Sequence, residues 1–101
     1  MTGFRISETA LADIESIVRY TTEQWGTAQR DRYMLGLEEE FRTLARNPKM
    51  AAERRDFTPP VRIHAYEKHL IVYVIDDFGI LIGRVLHGNM DVPAHVTGRT
   101  D

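Results

Sequence analysis

Two helical periodicities follow one another in this chain with almost nothing between them, and that junction limits the folds open to it. Leu11, Ile14, Ile17 or Val18, Thr21 and Trp25 recur at three- and four-residue steps, as do Tyr33 or Met34, Leu37, Phe41 and Leu44. Each set lines one face of a helix. Gly26 is a natural stop for the first helix and Thr27 a cap for the second, which Asn47-Pro48 ends. Helices joined this tightly double back as an αα-hairpin, and each then offers an apolar stripe to a third element. Trp25 continues the first stripe, so it reads as a core anchor rather than a binding hot spot.

The third element should be a sheet. Phe4 and Ile6 flank Arg5 in an alternating stretch, and Ser7 is placed to cap a helix that has Glu8 in its first turn. Residues 49–60 carry Glu53-Arg54-Arg55-Asp56 and end in Pro59-Pro60, which predicts a loop with room for a short strand. Residues 61–66, 69–75 and 80–87 alternate as strands, separated by Glu67-Lys68 and by Asp76-Asp77-Phe78-Gly79, so they form two consecutive hairpins. The predicted fold class is α+β: an N-terminal strand, the helical hairpin, then an antiparallel sheet of three or four further strands packed on the helices. Residues 1–101 read as a single domain, and 88–101 as an irregular C-terminal tail.

Composition narrows the chemistry. A chain of 101 residues, 43% of them hydrophobic, supports one core. It contains no cysteine, which excludes disulfides and thiolate chemistry. Thirteen Lys+Arg against fifteen Asp+Glu create no global positive field, so strong direct nucleic-acid binding is not expected. Eleven of the cations are arginine, the residue suited to bidentate pairing with carboxylate or phosphate. No apolar run approaches the ~20 residues that span a bilayer, and the first residues do not resemble a signal peptide. The expected location is cytoplasmic, without a membrane partner.

Strand register follows from the turns. A two-residue turn at Glu67-Lys68 sets Tyr66 opposite His69, His64 opposite Ile71 and Arg62 opposite Tyr73; in the next hairpin Ile75 faces Ile80. One predicted face holds Val61, Ile63, Ala65, Leu70, Val72, Val74, Leu81 and Val85, with Gly83 allowing close approach, and should receive the helices. The other gathers Arg62, His64, Tyr66, His69, Tyr73 and Arg84 among Ile71, Ile75, Ile80, Ile82 and Leu86, which predicts an interaction face rather than a merely solvated one.

No cofactor motif is present: there is no phosphate-cradling glycine loop, serine elbow or dinucleotide fingerprint. His87, Asp91 and His95 share a four-residue spacing, but Gly88 and Pro93 argue against the helix that would align them, so they read as a polar turn and not as a metal site. Metal-free RNA cleavage would need a base, a phosphate clamp and an acid. Arg62 and Arg84 are the candidate clamp, and His64, His69, Tyr66 and Tyr73 the candidate proton carriers, with nothing in the sequence to fix their geometry.

The order strand, helix, helix, sheet, joined to particular residues, resembles the RelE/ParE superfamily of toxins from bacterial type II toxin-antitoxin modules. The ParE branch is suggested by Ala12-Asp13-Ile14 with Ile17, by Tyr20, Trp25-Gly26, Gln29 and Tyr33, by Asn47-Pro48, and by Arg84-Val85-Leu86-His87 followed by Met90-Asp91. The resemblance implies a non-enzymatic toxin without cofactors, bound by a ParD-like antitoxin and directed at DNA gyrase. Under it, the residues expected to meet antitoxin or target are Arg62, His64, Tyr66, His69, Tyr73, Ile82, Arg84 and Leu86. The superfamily alternative is a RelE-like ribosome-dependent mRNA endoribonuclease, for which Arg62, His64, Arg84 and His87 are the candidate catalytic residues; His87 falls on the helix-facing side and no tyrosine follows it. A non-toxic partner-binding domain is the third reading.

Overall fold

The computed structural model describes residues 3–90 and 92–96. The elements run β1 (Phe4–Ile6), α1 (Glu8–Arg46), β2 (Glu53–Arg54), β3 (Val61–Tyr66), β4 (His69–Asp76), β5 (Gly79–His87) and α2 (Val92–His95). The strands form one sheet in the order β1-β5-β4-β3-β2, antiparallel except where β1 runs parallel to β5.

The helical hairpin forms because of Gly26. At φ 88° and ψ 175° it leaves the helical region inside the 39-residue α1, in a conformation open essentially to glycine alone. Without that break α1 would be about 58 Å long, yet the protein's greatest extent is 38 Å. The arms 8–25 and 27–46 therefore double back. Ser7 caps the first, its hydroxyl accepting from the Ala10 N–H at 3.0 Å.

The β3–β4 register is the predicted one, with Tyr66 opposite His69, His64 opposite Ile71 and Arg62 opposite Tyr73. The β4–β5 hairpin begins as predicted, with Ile75 opposite Ile80, but it carries a bulge: Tyr73 pairs with Ile82 whereas Val72 pairs with Arg84, leaving Gly83 as the extra residue. The bulge reverses the phase of β5. Ile80 and Ile82 precede it on one face, and Val85 and His87 continue that face beyond it, while Arg84 and Leu86 turn to the other.

Two expectations are thereby corrected. The helices cover the face of Ile71, Tyr73, Ile80, Ile82 and Val85, which form one core with Ala10, Ile14, Ile17, Leu37, Phe41 and Leu44. They do not cover the face of Val61, Ile63, Val72 and Val74. That reverse face has its own small core, made by Phe57, Val61, Val72, Leu86 and Val96 with Val92 beside them. The physical reason is that both alternations along β4 are apolar, and the full length of Tyr73 fits under the helices because its hydroxyl reaches the Pro48 carbonyl at 2.7 Å. Tyr73, Ile82 and Leu86 are accordingly buried and not an open interaction face.

Two further differences concern single segments. Within the stretch 88–101, expected to be irregular, α2 forms and Val96 is buried; residues 97–101 lie outside the described residues. Trp25, expected in the core, is 68% exposed, and Leu11 also faces outward. Ile14 and Ile17 bury as the periodicity predicts, but the last aromatic residues of the first arm, Tyr20 and Trp25, stay exposed.

Candidate functional site

The exposed end of the first arm borders a cleft. Between the tip of the helical hairpin and the β3–β4 turn lies a cavity of about 450 Å³, lined by Tyr20, Thr21, Trp25, Gln29, Tyr33, Glu67, Lys68, His69 and His87. Its volume is in the range of small-ligand and side-chain pockets. Tyr20 and Trp25 stand at its mouth, 61% and 68% exposed.

Its floor is a chain of tilted and edge-to-face rings. The Tyr33 centroid lies 5.5 Å from Tyr66 and 5.4 Å from His69, and His69 lies 5.5 Å from His87, its cross-strand neighbour. Gly36, one turn beyond Tyr33, lets the Tyr66 hydroxyl lie directly on the helix, where any Cβ would collide with it. The turn that delivers His69 is tight, with Glu67 at φ 54°.

The hydrogen bonds fix which atoms face the opening. The Tyr33 hydroxyl meets His69 Nδ1 at 2.7 Å. Burial, then the neighbouring Tyr66 and Glu67, push the Tyr33 phenol far above its ordinary value, so it keeps its hydrogen. Burial, then His87, push His69 down, so it is neutral at pH 7. The phenol is assigned as donor to Nδ1, which puts the His69 proton on Nε2. In His87, Nδ1 accepts from the Asn89 backbone N–H at 3.1 Å, which leaves Nε2 as its donor nitrogen as well. Gln29 uses its side-chain oxygen to accept from Arg32 at 2.6 Å, which leaves its amide N–H groups as donors. Among the described residues, no buried side-chain nitrogen or oxygen lacks a partner. The imidazole Nε2–H groups make no hydrogen bond within the fold, and so they are open to the solvent of the cleft.

The other site residues expected from the sequence are held in separate networks. Arg62 donates to the Ala51 carbonyl at 2.7 Å, and His64 is hydrogen-bonded to Glu40 on the second arm of α1. Arg84 is clamped by Asp13, Nε to Oδ2 at 2.8 Å and Nη2 to Oδ1 at 2.9 Å, and also donates to the His95 carbonyl at 3.1 Å. Hydrogen bonding to Asp13 raises the Arg84 guanidinium further above its ordinary value. Arg62 and His64 belong to the helix-side face and Arg84 to the reverse face, so the proposed two-arginine phosphate clamp is not assembled. Of the expected residues only His69 and His87 line the cleft, with Tyr66 packed behind Tyr33. Asp91 lies outside the described residues; among those described, no group of three or more metal-ligating side chains occurs.

The helical period alone hid the cleft, because it assigns Thr21 and Trp25 to the buried stripe of the first arm and gives Tyr20 no place. The signal that locates them is their nearness to the Gly26 break, at the tip of the helical hairpin. Five residues that carry the family resemblance, Tyr20, Trp25, Gln29, Tyr33 and His87, meet in this one place. Two others, Asp13 and Arg84, pair with each other.

Residues 4–92 match the family described as the ParE toxin of the type II toxin-antitoxin system parDE. The chain belongs to the ParE toxin family. It is 31% identical over 101 residues to Toxin ParE of Escherichia coli, covering 98% of this chain and 97% of that one. It is 29% identical over 96 residues to Toxin ParE1 of Caulobacter vibrioides, covering 95% and 99%. A solved chain from the chromosomal ParDE toxin-antitoxin system of P. aeruginosa has the same fold, with a TM-score of 0.73 at 19% identity over 86% of this chain and 96% of that one. The ParE resemblance read from the sequence is thus borne out, and so is the α+β fold of a strand, a helical hairpin and a five-stranded sheet.

Proposed function

We propose that this ParE-family toxin acts by gripping other proteins rather than by catalysis: a ParD-like antitoxin holds it in a stable complex in the cytoplasm, and DNA gyrase is its target when the antitoxin is lost. The dispersal of Arg62, His64, Arg84 and His87 carries the non-enzymatic part of this reading. Cleavage of RNA without a metal requires a base, a clamp and an acid within reach of one phosphate. Here Arg62 and Arg84 lie on opposite faces of the sheet, and His64 and Arg84 are engaged by Glu40 and Asp13. The surface arginines Arg5, Arg42, Arg46, Arg54 and Arg55 are likewise paired with carboxylates, which leaves little positive field for a nucleic acid.

Three observations support a protein partner. The relatives are named as ParE toxins, the similar solved chain comes from a ParDE toxin-antitoxin system, and the cleft presents exposed aromatic side chains of the kind that anchor protein interfaces. Among the described residues no helix is long and apolar enough to cross a membrane.

The deciding experiment is a gyrase supercoiling assay with the purified chain. Loss of supercoiling with accumulation of cleaved plasmid is the expected result, reversed by the antitoxin encoded beside the toxin. Undiminished supercoiling at high molar excess would overturn the gyrase assignment. Induction in cells separates the alternatives: a DNA-damage response is expected, whereas truncated messages without DNA breaks would point to ribonuclease activity, and unimpaired growth to a non-toxic binding domain.

A further inference from the structure

The cleft is defined more closely than a generic apolar groove, because two imidazoles and an amide offer N–H donors in it. His69 and His87 each present an Nε2–H, and Gln29 presents its amide N–H groups while its oxygen is held by Arg32. Lys68 adds an exposed ammonium at the rim, against which Glu67 is the one carboxylate in the lining. Imidazole N–H donors that line a cavity with no partner in the fold ask for an acceptor from outside.

Charge selects among acceptors. Lys68 and Glu67 cancel, and each imidazole uses its Nδ1 as an acceptor, toward Tyr33 or Asn89, so the lining brings no net cation. A phosphate carrying nearly two negative charges would be desolvated here without a counter-charge. A single carboxylate needs less, since two or three N–H donors stabilise it well. The walls add a second requirement: Tyr20 and Trp25, exposed at the mouth, offer flat apolar area immediately beside the donors.

We propose that this cleft binds an acidic peptide segment of a partner protein, taking a glutamate or aspartate carboxylate onto the Nε2–H groups of His69 and His87 while an adjacent apolar side chain rests on Trp25 and Tyr20. The proposal deepens the reading of the chain as a toxin that works through protein contacts, but does not depend on which protein it poisons. Tyr33 is a positioning residue in this scheme: by donating to His69 Nδ1 it holds the tautomer that turns Nε2–H outward. Asn89 does the same for His87 through its backbone.

The test uses the intact chain, with acetyl-Phe-Glu-amide as probe, acetyl-Phe-Gln-amide as its uncharged counterpart, and inorganic phosphate as a third ligand. Nitrogen-15 spectra report the imidazoles of His69 and His87 and the indole of Trp25. Saturable shifts of all three with the glutamate peptide are expected, at least fivefold weaker with the glutamine peptide and absent with phosphate. His87→Phe should abolish the preference for glutamate, and Trp25→Ala should weaken both peptides alike. If His87→Phe loses its folded spectrum, Lys68→Gln at the exposed rim replaces it, and a reduced preference for glutamate is expected there. Equal affinity for the two peptides, a stronger response to phosphate, or no saturable shift at the cleft would overturn the proposal. So would concentration-dependent self-association through Trp25, which would show that a second copy covers the cleft. None of these results bears on the supercoiling assay, so failure of the carboxylate site and failure of the gyrase assignment are separable.

Discussion

Asp13 holds Arg84 bidentately along the Nε–Nη2 edge of its guanidinium and, with the same Oδ2, accepts the backbone N–H of Val85 at 2.9 Å. This contact seals a gap in the sheet. β1 pairs with β5 only as far as Ile82, so the β5 edge beyond it would be bare. There the Ser7 hydroxyl donates to the Gly83 carbonyl and Asp13 takes the Val85 N–H, so the first turns of α1 finish what the short strand leaves open. The side chains of Asp13 and Arg84 are only 14% and 24% exposed. Asp13→Ala strips an amide and a guanidinium of their acceptor together and should cost about 2–3 kcal/mol. Arg84→Ala leaves the carboxylate with its amide and should cost about 1 kcal/mol. Exchanging the charges, with Arg at 13 and Asp at 84, should not restore stability because Val85 remains unpaired. Urea midpoints of the three variants check the order.

Gly26 sets the hairpin by a backbone conformation, not by a contact: a Cβ there would meet nothing within 4 Å. Its φ of 88° with ψ of 175° is nonetheless forbidden to L-residues in practice. Gly26→Ala should therefore destabilise the protein by about 1–3 kcal/mol, although it relieves an expensive glycine. Denaturant melts measure the loss. A stabilised variant would mean that the arms can be joined through another geometry.

How far the sequence reveals this molecule depends on whether one signal or two compete at a position. Gly26, Ser7 and the Glu67-Lys68 turn each have one reading, and the hairpins and the β3–β4 register follow from them. The choice of face does not, because Ile71 and Tyr73 alternate with Val72 and Val74 and both sets are apolar. The cover of the reverse face comes from Phe57, Val92 and Val96, in segments that look like loop and tail. A single bulge at Gly83 then inverts Arg84 and Leu86, and a period-two pattern cannot register one extra residue. The cleft was legible only as the separate residues of a family resemblance, since Trp25 and Tyr33 also satisfy a helical stripe.

Gly36 and Tyr66 offer a sharper test of packing at the site. A Cβ at position 36 would collide with the Tyr66 hydroxyl, whereas the next ring atom, Cζ, would be 3.3 Å away. Gly36→Ala alone should lower stability although alanine is the better helix former by about 1 kcal/mol. Tyr66→Phe removes the colliding oxygen. The double variant should then be more stable than Tyr66→Phe by some tenths of a kcal/mol up to that helix gain. A thermodynamic cycle over the four proteins measures the coupling; additivity would show that the hydroxyl does not lie on the helix.

The His69 imidazole links the cleft to pH. Burial first, and His87 second, hold its folded-state value below the ordinary imidazole value, which is about 6.5. The unfolded chain therefore takes up a proton at this position more readily than the folded one. Where the unfolded state binds more protons, unfolding free energy rises with pH. His69 costs nothing well above pH 7; its penalty begins as pH falls through the unfolded value and levels off below the folded one. Stability should accordingly decline between about pH 7 and pH 5. His69→Gln should flatten that part of the profile, even if it lowers stability at pH 8 by losing the bond to Tyr33. Urea midpoints at half-unit intervals for both proteins provide the measurement. An unchanged slope in the variant would assign the acid sensitivity to another group and remove His69 from its neutral, Tyr33-bonded role.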